Sequence, residues 1–327
     1  MSLPSVCVIL PVLDEYDAID ACLSSLRDQD FEGPVELLIA DGGSTDGTLA
    51  RLQEWVDRWP AVRVVDNPDR VQSVGLWRAA LSTSADVLVR ADAHTTYAPD
   101  YVRRSVTSLD SSDAVAVGGP LRPAQGTGFA RSVGLAMTHP LGVGPARFHS
   151  DTAGGYVDTV YLGAFRRDDF LAIGGMRTLP SRVAEDADLY FRWRNQGQSV
   201  LLDPEIRSEY TPRGTPSALW RQFYRYGMGK ADMLMVNGEF PSLRPLAPLG
   251  LIVAIVAALA LTPLSWWPIT FILTIWLGAL LVAMRFRIGV VWAAMIMHVS
   301  YGLGLLHGLL RRPQSVRAMV RGNVQPE

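Results

Sequence analysis

The sequence predicts an α/β protein: a doubly wound, mainly parallel sheet followed by a C-terminal transmembrane helical hairpin and interfacial helices. Three observations carry that expectation. Short apolar runs at 6–10, 35–40 and 87–89 lead into acidic residues, the pattern of buried strands whose carboxyl ends face a ligand. Stretches with apolar residues at helical spacing separate those runs. From Pro245 to Met284 there is no charged residue at all, enough chain for two spans of about 17–20 residues each.

Residues 6–10 read as the first strand, and 17–29 as a helix whose row Ile19, Cys22, Leu23 and Leu26 faces a core. Residues 35–40 form the second strand, with Leu49, Leu52, Val56 and Trp59 striping the helix after it. A third strand at 62–65 leads to a helix striped by Val71, Val74, Trp77 and Leu81, and 87–89 is a strand again. Strand and helix in strict alternation give parallel pairing through crossover helices. From Gly118 the pattern loosens. Residues 120–158 are rich in Gly, Pro, Ser and Thr and long for a loop, which fits either an acceptor-facing binding loop or a surface excursion. A helix at 186–196 carries Glu185-Asp186 at its start, and a second, rich in aromatics, covers 217–227.

Charge divides where hydropathy does. From residue 245 the basic residues are Arg285, Arg287, Arg311, Arg312, Arg317 and Arg321, and the only acid is Glu327. The part before it holds 24 basic and 31 acidic residues, a net of −7, which argues against a nucleic-acid surface. The N-terminus lacks a basic segment and a long apolar core, so no secretory signal is expected and the acidic part is placed in the cytoplasm. Two isolated cysteines, Cys7 and Cys22, make no disulfide framework, and Cys22 reads as a small core residue. Lys230 is the single lysine, read as compositional bias.

The chemistry-bearing residues sit where the strands end. The first strand runs into Pro11-Val-Leu-Asp14-Glu15 with no G-x-G-x-x-G, and the missing dinucleotide fingerprint weighs heavily against a dehydrogenase. Asp41-Gly-Gly-Ser-Thr-Asp-Gly-Thr48 follows the second strand; Asp41 is placed to face a ligand, whereas Ser44, Thr45 and Asp46 read as caps for the next helix. Arg90-Ala-Asp92-Ala-His94 and Arg182-Val-Ala-Glu185-Asp186-Ala-Asp188 add further acids. Several acids converging at strand ends call for an electropositive partner, most simply a divalent cation carrying a phosphate ester.

These motifs, with Gln222-Phe-Tyr-Arg225-Tyr226, resemble in order the motifs of family 2 glycosyltransferases of the GT-A fold, over roughly residues 4–235. Asn67-Pro-Asp-Arg-Val-Gln72-Ser, Arg90-Ala-Asp-Ala-His94 and Gly155-Tyr-Val-Asp158-Thr-Val160 resemble more narrowly the succinoglycan-biosynthesis glucosyltransferase branch. The resemblance implies a donor site of Pro11, Asp14, Glu15, Asp41, Gln72, Asp92, Gln222 and Arg225, with Asp41 bonded to a uracil ring and Arg225 clamping the diphosphate. It implies Asp186 as catalytic base with Glu185 in support, and Tyr226 and Asp158 toward the acceptor. A carboxylate opposite the leaving group is what inversion at a sugar carbon requires. Asp92 and His94 occupy the metal motif, with His in place of the usual second Asp. An imidazole there leans toward Mn²⁺ over Mg²⁺, the alternative being a histidine that hydrogen-bonds a phosphate. Tyr226 stands where processive members carry Trp, so addition of a single sugar is expected.

Together these readings give a cytoplasmic catalytic domain over 1–235 and a membrane-anchoring region over 236–327 in a multi-pass plasma-membrane protein. Spans are expected at 246–264 and 268–284, joined by a turn with Trp266 and Trp267. Residues 288–310 are interfacial, re-entrant or a third span: their His298, Ser300, Tyr301 and His307 suit an interface, while Gly304-x-x-x-Gly308 is a membrane helix-packing motif. The histidines at 298 and 307 read as markers of interfacial depth, and His139 and His149 as loop residues. The expected reaction moves a hexose, UDP-glucose being the expected kind of donor, to a hydroxyl of a polyprenyl- or other lipid-linked saccharide. The alternatives are transfer to a polyprenyl phosphate, or a silent scaffold that binds a nucleotide sugar.

Overall fold

The computed structural model describes residues 3–239 and 243–311; Arg312, Arg317, Arg321 and Glu327 of the basic tail lie outside the described residues. The first half alternates as expected: β1 (Val6–Val12), α1 (Ile19–Arg27), β2 (Val35–Asp41), α2 (Thr48–Arg58), β3 (Val62–Asp66), α3 (Gln72–Leu81) and β4 (Val87–Arg90). Then come β5 (Thr95–Tyr97), α4 (Tyr101–Asp110), β6 (Ala116–Gly119) and β7 (Arg122–Pro123). The Gly/Pro-rich stretch is not one loop. It folds as α5 (Gly128–Met137), the short α6 (Pro140–Val143) and β8 (Gly155–Tyr156). Next are β9 (Tyr161–Arg166), α7 (Arg167–Ala172), α8 (Glu185–Asn195), β10 (Val200–Leu202), β11 (Ser208–Tyr210) and α9 (Pro216–Asn237). The chain ends in α10 (Leu246–Ala260), α11 (Trp267–Ala283) and α12 (Ile288–Leu310).

The main sheet has the order β3-β2-β1-β4-β9-β6-β10-β8, and a small sheet β5-β11-β7 stands beside it. β1 pairs in parallel with β2 and with β4, while β9 runs antiparallel between β4 and β6. The chain leaves β1 toward β2 and β3, then returns to the other side of β1 as β4. That reversal opens a crevice at the carboxyl ends of β1 and β4, where ligands bind in open α/β sheets. Alternation along β1 divides the core. Val6, Val8 and Leu10 join α1, α2 and α4 on one face; Cys7 and Ile9 join α3, α7 and α8 on the other. Both cysteines are free and buried, and burial pushes the Cys7 thiol up to about 12, so neither is poised to react.

Two helix stripes differ from expectation. α2 buries Thr48, Leu52 and Trp55, leaving Leu49 half exposed. α3 buries Ser73, Gly75, Leu76, Ala79 and Ala80, with Leu81 exposed. The reason is proximity: a Cβ at Gly75 would lie 3.0 Å from Ala40 Cβ and 2.8 Å from the Asn67 amide. α3 lies so close to the sheet that small residues, not the larger apolar ones, must face it.

α9 is longer than expected and continues past residue 235 to Asn237. Against it lies α12, the one described helix long and apolar enough to cross a membrane, with 56% of its most apolar window buried inside the protein. Residue numbers rise together along the seam. Gly304 meets the Tyr224 carbonyl, Gly308 meets Ala231 and Met228, and Arg311 pairs with the fully buried Asp232 at 2.7 Å. Gly304 and Gly308 therefore do pack a helix, and that helix is α9. α12 also covers α5 and α10: Gly289 abuts Ser132, and a Cβ at Gly302 would lie 2.5 Å from the Pro248 carbonyl oxygen. The shorter α10 and α11 are apolar and open, with Val253, Val256, Leu259, Phe271, Ile275 and Val282 exposed.

Candidate active site

The crevice widens into a cavity of about 1490 Å³ that reaches from the ends of β1 and β4 to α10, α11 and α12. Pro11, Glu15, Gln72, Asp92, His94, Asp158, Glu185, Asp186, Gln222, Arg225 and Tyr226 of the expected site all line it; Asp14 and Asp41 do not.

Arg90, the last residue of β4, organises the centre. Its side chain is only 7% exposed, and it donates to Asp186 Oδ2 at 3.3 Å and to Asp92 Oδ1 at 3.4 Å. Gln72 Nε2 donates to the same Asp92 oxygen at 3.2 Å. Burial works against the guanidinium charge, but Asp92 and Asp186 prevail and raise its pKa further. One buried cation thus holds the two carboxylates of the site in a fixed relation. The sequence reading quoted Arg90 without giving it a role; an arginine ending a buried four-residue strand was the available signal.

Asp186 sits on the first turn of α8, its Oδ1 accepting from the Ala187 amide at 2.7 Å. The segment before it is strained: Arg182 and Ala184 both have left-handed φ, 54° and 63°. α9 braces that segment. Arg225 Nη2 donates to the Ser181 and Arg182 carbonyls at 3.3 Å, Asp232 accepts from the Ser181 amide at 2.8 Å, and Gly229 leaves room for the Val183 carbonyl. Arg225, expected to face a diphosphate, is engaged here on the backbone just before Asp186. Glu185 is buried and accepts from Ser73 Oγ at 3.1 Å; burial raises its carboxyl to about 7, partly offset by the Ser73 bond. It ties α8 to α3, while Asp186 remains 36% exposed.

At the β1 end, Asp41 spends its carboxylate on its own loop, accepting from the Gly43 and Ser44 amides and from Ser44 Oγ at 2.6 Å. Asp14, with φ 54°, accepts from the Thr45 amide at 2.7 Å. The loop motif is cross-braced by these bonds. Of the three residues read as caps, only Asp46 does so, accepting from the Thr48 amide and hydroxyl; Ser44 and Thr45 serve the Asp41 and Asp14 carboxylates because α2 begins later, at Thr48. Asn67 is buried with its Oδ1 lacking a partner among the described residues, and it lines the cavity, a polar group that the sequence reading passed over.

His94 Nδ1 lies 3.7 Å from Glu15 Oε1, and its ring meets Tyr210 edge-on at 5.5 Å. Burial disfavours its charged form, yet Glu15 and Asp92 outweigh that and raise its pKa. A carboxylate behind Nδ1 is the usual arrangement behind a metal-bound imidazole. Both bonds to Asp92 fall on Oδ1. The pair fits a divalent ion that takes its remaining ligands from a substrate; no group of three His, Cys, Asp or Glu residues suited to a metal occurs among the described residues. Gln222 donates to Tyr210 and Tyr226 hydroxyls at 2.8 and 3.0 Å, fixing both rings at the wall. Asp158 pairs with Arg194 at 3.5 Å and Arg244 at 3.9 Å. His149 is buried, which lowers its pKa to about 4; His139 caps α6; His307 bonds Tyr224, and His298 bonds Trp276 and the Leu141 carbonyl.

Comparison with known proteins bears on this geometry. The model of the family "Glycosyl transferase family 2" matches residues 7–174. The chain is 29% identical over 315 residues to the succinoglycan biosynthesis protein ExoA of Rhizobium meliloti (strain 1021), covering 93% of this chain and 94% of that one. An N-acetylglucosaminyltransferase of the same organism is 30% identical over 122 residues, covering 36% of this chain and 29% of that protein. Among solved structures, the mannosyltransferase PcManGT of Pyrobaculum calidifontis, in complex with GDP-Man and Mn²⁺, superposes with a TM-score of 0.69 at 21% identity, covering 94% of this chain and 87% of that one.

Proposed function

The chain belongs to glycosyl transferase family 2, and from that premise we propose that it moves a hexose from a UDP-sugar, with inversion, to a hydroxyl of a lipid-linked saccharide in polysaccharide biosynthesis. One observation carries the reading: Asp186 and Asp92 face one cavity from opposite elements, α8 and the end of β4, tied by the buried Arg90. Asp186 takes the proton from the acceptor hydroxyl as that oxygen attacks the sugar carbon. Arg90 orients it, and the Arg225 and Asp232 bonds keep the strained 181–184 segment from relaxing. Asp92 and His94 would hold a divalent cation, which supplies charge neutralisation for the departing diphosphate; the Mn²⁺ complex of PcManGT supports that choice. Asn67 Oδ1 is available to a donor N–H.

The division into a catalytic domain before residue 236 and a membrane region after it belongs to the same proposal. Its support is the open apolar surface of α10 and α11, with Trp266 and Trp267 stacked at their turn. α12 has used its apolar faces on α5, α9 and α10, which favours an interfacial helix over a third span. Location at the plasma membrane with the catalytic domain in the cytoplasm is part of the same proposal, supported by the arginines that flank the apolar helices.

The experiment is Asp186→Asn assayed with a panel of UDP-hexoses and lipid-linked saccharides. Transfer should fall about 10²-fold or more while donor KM changes little. Near-normal turnover would remove Asp186 as the base. Turnover with a bare polyprenyl phosphate alone would favour the phosphate-acceptor reading, whose acceptor needs no deprotonation.

A further inference from the structure

The cavity holds more positive charge than a donor diphosphate and its cation call for, and part of it lies away from Asp92. Arg194 is on the last turn of α8, eight residues beyond Asp186, hence about 12 Å along the helix axis at about 1.5 Å per residue. Arg244 comes from the segment before α10. Asp158, after β8, reaches both, with Oδ1 3.5 Å from Arg194 and Oδ2 3.9 Å from Arg244. Lys230, on α9, lines the same region. Among the described residues its ammonium makes one hydrogen bond, to Met233 Sδ at 3.6 Å, and no ion pair. Asp158 is shared by the two arginines and Lys230 feels Asp186 and Asp158 without an ion pair to either, so the three cations leave room for an anion.

The wall beyond them is apolar and belongs to the last three helices: Pro248 and Leu251 of α10, Trp276 of α11, Met297 and Tyr301 of α12. Polar and apolar parts form one continuous space, and two of the helices that build the apolar part, α10 and α11, have open, apolar outer faces. An anion at Lys230 attached to a hydrocarbon chain on that wall satisfies both.

The geometry points to an acceptor subsite in which Arg194, Lys230 and Arg244 bind the phosphate or diphosphate of the lipid-linked acceptor. Its first isoprenoid units lie between α10, α11 and α12. The inference rests on the lipid-linked-acceptor reading and adds to it which residues take the lipid phosphate, from Lys230, which feels the Asp186 charge, to Arg194, about 12 Å along α8 from Asp186, with the saccharide reaching back to the base. In the free protein Asp158 bridges the two arginines and offsets their mutual repulsion. An ammonium next to bound phosphate gains a charge-assisted bond that its thioether contact does not supply.

Lys230 is the only lysine in the sequence, so its amine is a built-in reporter. Burial lowers its pKa, which favours reaction with acylating reagents. The full chain in detergent micelles is treated with an N-hydroxysuccinimide ester, and acylation at Lys230 is followed by mass spectrometry with the N-terminal amine as internal control. Farnesyl diphosphate, farnesol, inorganic pyrophosphate and UDP with Mn²⁺ are compared. The expected result is fivefold or greater slowing by farnesyl diphosphate and less than twofold by the other three. Equal slowing by UDP would assign Lys230 to the donor; equal slowing by pyrophosphate would remove the hydrocarbon part; no slowing by any probe would remove the subsite. As a second measurement, Lys230→Gln and Arg244→Gln should each raise KM for a diphosphate-linked acceptor tenfold or more with donor KM unchanged, and unchanged acceptor KM overturns the assignment. If the parent protein shows no turnover with any lipid-linked saccharide, the functional reading fails, whereas the labelling result still decides the subsite.

Discussion

Arg90 gives the sharpest test of how this centre is built. Arg90→Met keeps an unbranched apolar stem and removes the guanidinium between Asp186 and Asp92. At 3.3 and 3.4 Å, with an effective dielectric constant of about 20, each contact is worth about 5 kcal/mol before desolvation is subtracted. Removing one partner of a buried ion pair typically costs about 3–5 kcal/mol, because the other is left uncompensated. Asp186 is 36% exposed, so solvent screens its contact and the lower end of that range applies. A loss of about 3 kcal/mol should lower Tm by roughly 5–10 °C in thermal unfolding of the detergent-solubilised protein. Arg90→Lys retains charge but lacks the planar fork that reaches two carboxylates, so it should fall between parent and Arg90→Met. Both variants should lose tenfold or more in transfer, since Asp186 is no longer held. A melt for Arg90→Met within about 2 °C of the parent, with turnover within threefold, would refute the claim that Arg90 organises the site.

Three further outcomes follow from the same geometry. Burial raises Glu185 to about 7, above the ordinary carboxylate value, so its stabilising contribution is fully present below that ordinary value and is lost as pH rises through 7; Glu185→Gln should flatten the fall in Tm over that window, a difference of up to about 3 kcal/mol, and an unchanged pH profile would contradict the burial argument. If His94 holds a cation, turnover should stop in excess chelator, and its raised pKa means that protons compete with metal, so half-saturating Mn²⁺ should fall as pH rises; His94→Asp should shift preference toward Mg²⁺, and full activity in chelator would end the metal role. Gly304→Ala drives a methyl into the Tyr224 carbonyl and should cost about 1–3 kcal/mol by Tm, whereas Gly278→Ala on α11, with nothing within 4 Å, should be near neutral; equal melts would show that the α9–α12 seam is not tight.

The parallel half of the sheet was legible because its strands are buried on both faces and read as unbroken apolar runs, and the motif acids lie at their ends. What was not legible depends on distance in sequence. α3 faces the sheet with Ser73, Gly75 and Ala79, a choice made by the nearness of Ala40 and invisible in a hydropathy stripe. α5 hides in a Gly/Pro-rich stretch because its partner, α12, lies more than 150 residues away. Asp41 stood out by position, yet its loop claims its carboxylate. Arg90 was overlooked since its meaning lies in Asp186, 96 residues on. Residue type located the site; the hydrogen bonds that decide which carboxylate is free required the fold.

The C-terminal apolar helices and the part that carries the candidate site are tied together in this chain, and α9 is the reason. One face of α9 carries Gln222, Arg225 and Tyr226 toward the cavity, and the other is pressed on α12 through Gly227, Gly304 and Gly308. Close backbone contact along a small-residue seam permits little sliding, since any shift drives carbonyls into Cα atoms. The same helix holds the 181–184 segment through Arg225 and Asp232, and Asp232 is itself paired with Arg311 at the end of α12. The position of Asp186 on α8 is therefore referenced to α12 rather than to the sheet alone. A glycosyltransferase that must meet a membrane-borne acceptor needs its base at a fixed depth relative to the lipid surface. On the proposed reading, support of Asp186 by an apolar helix packed against the domain sets that depth through the fold itself.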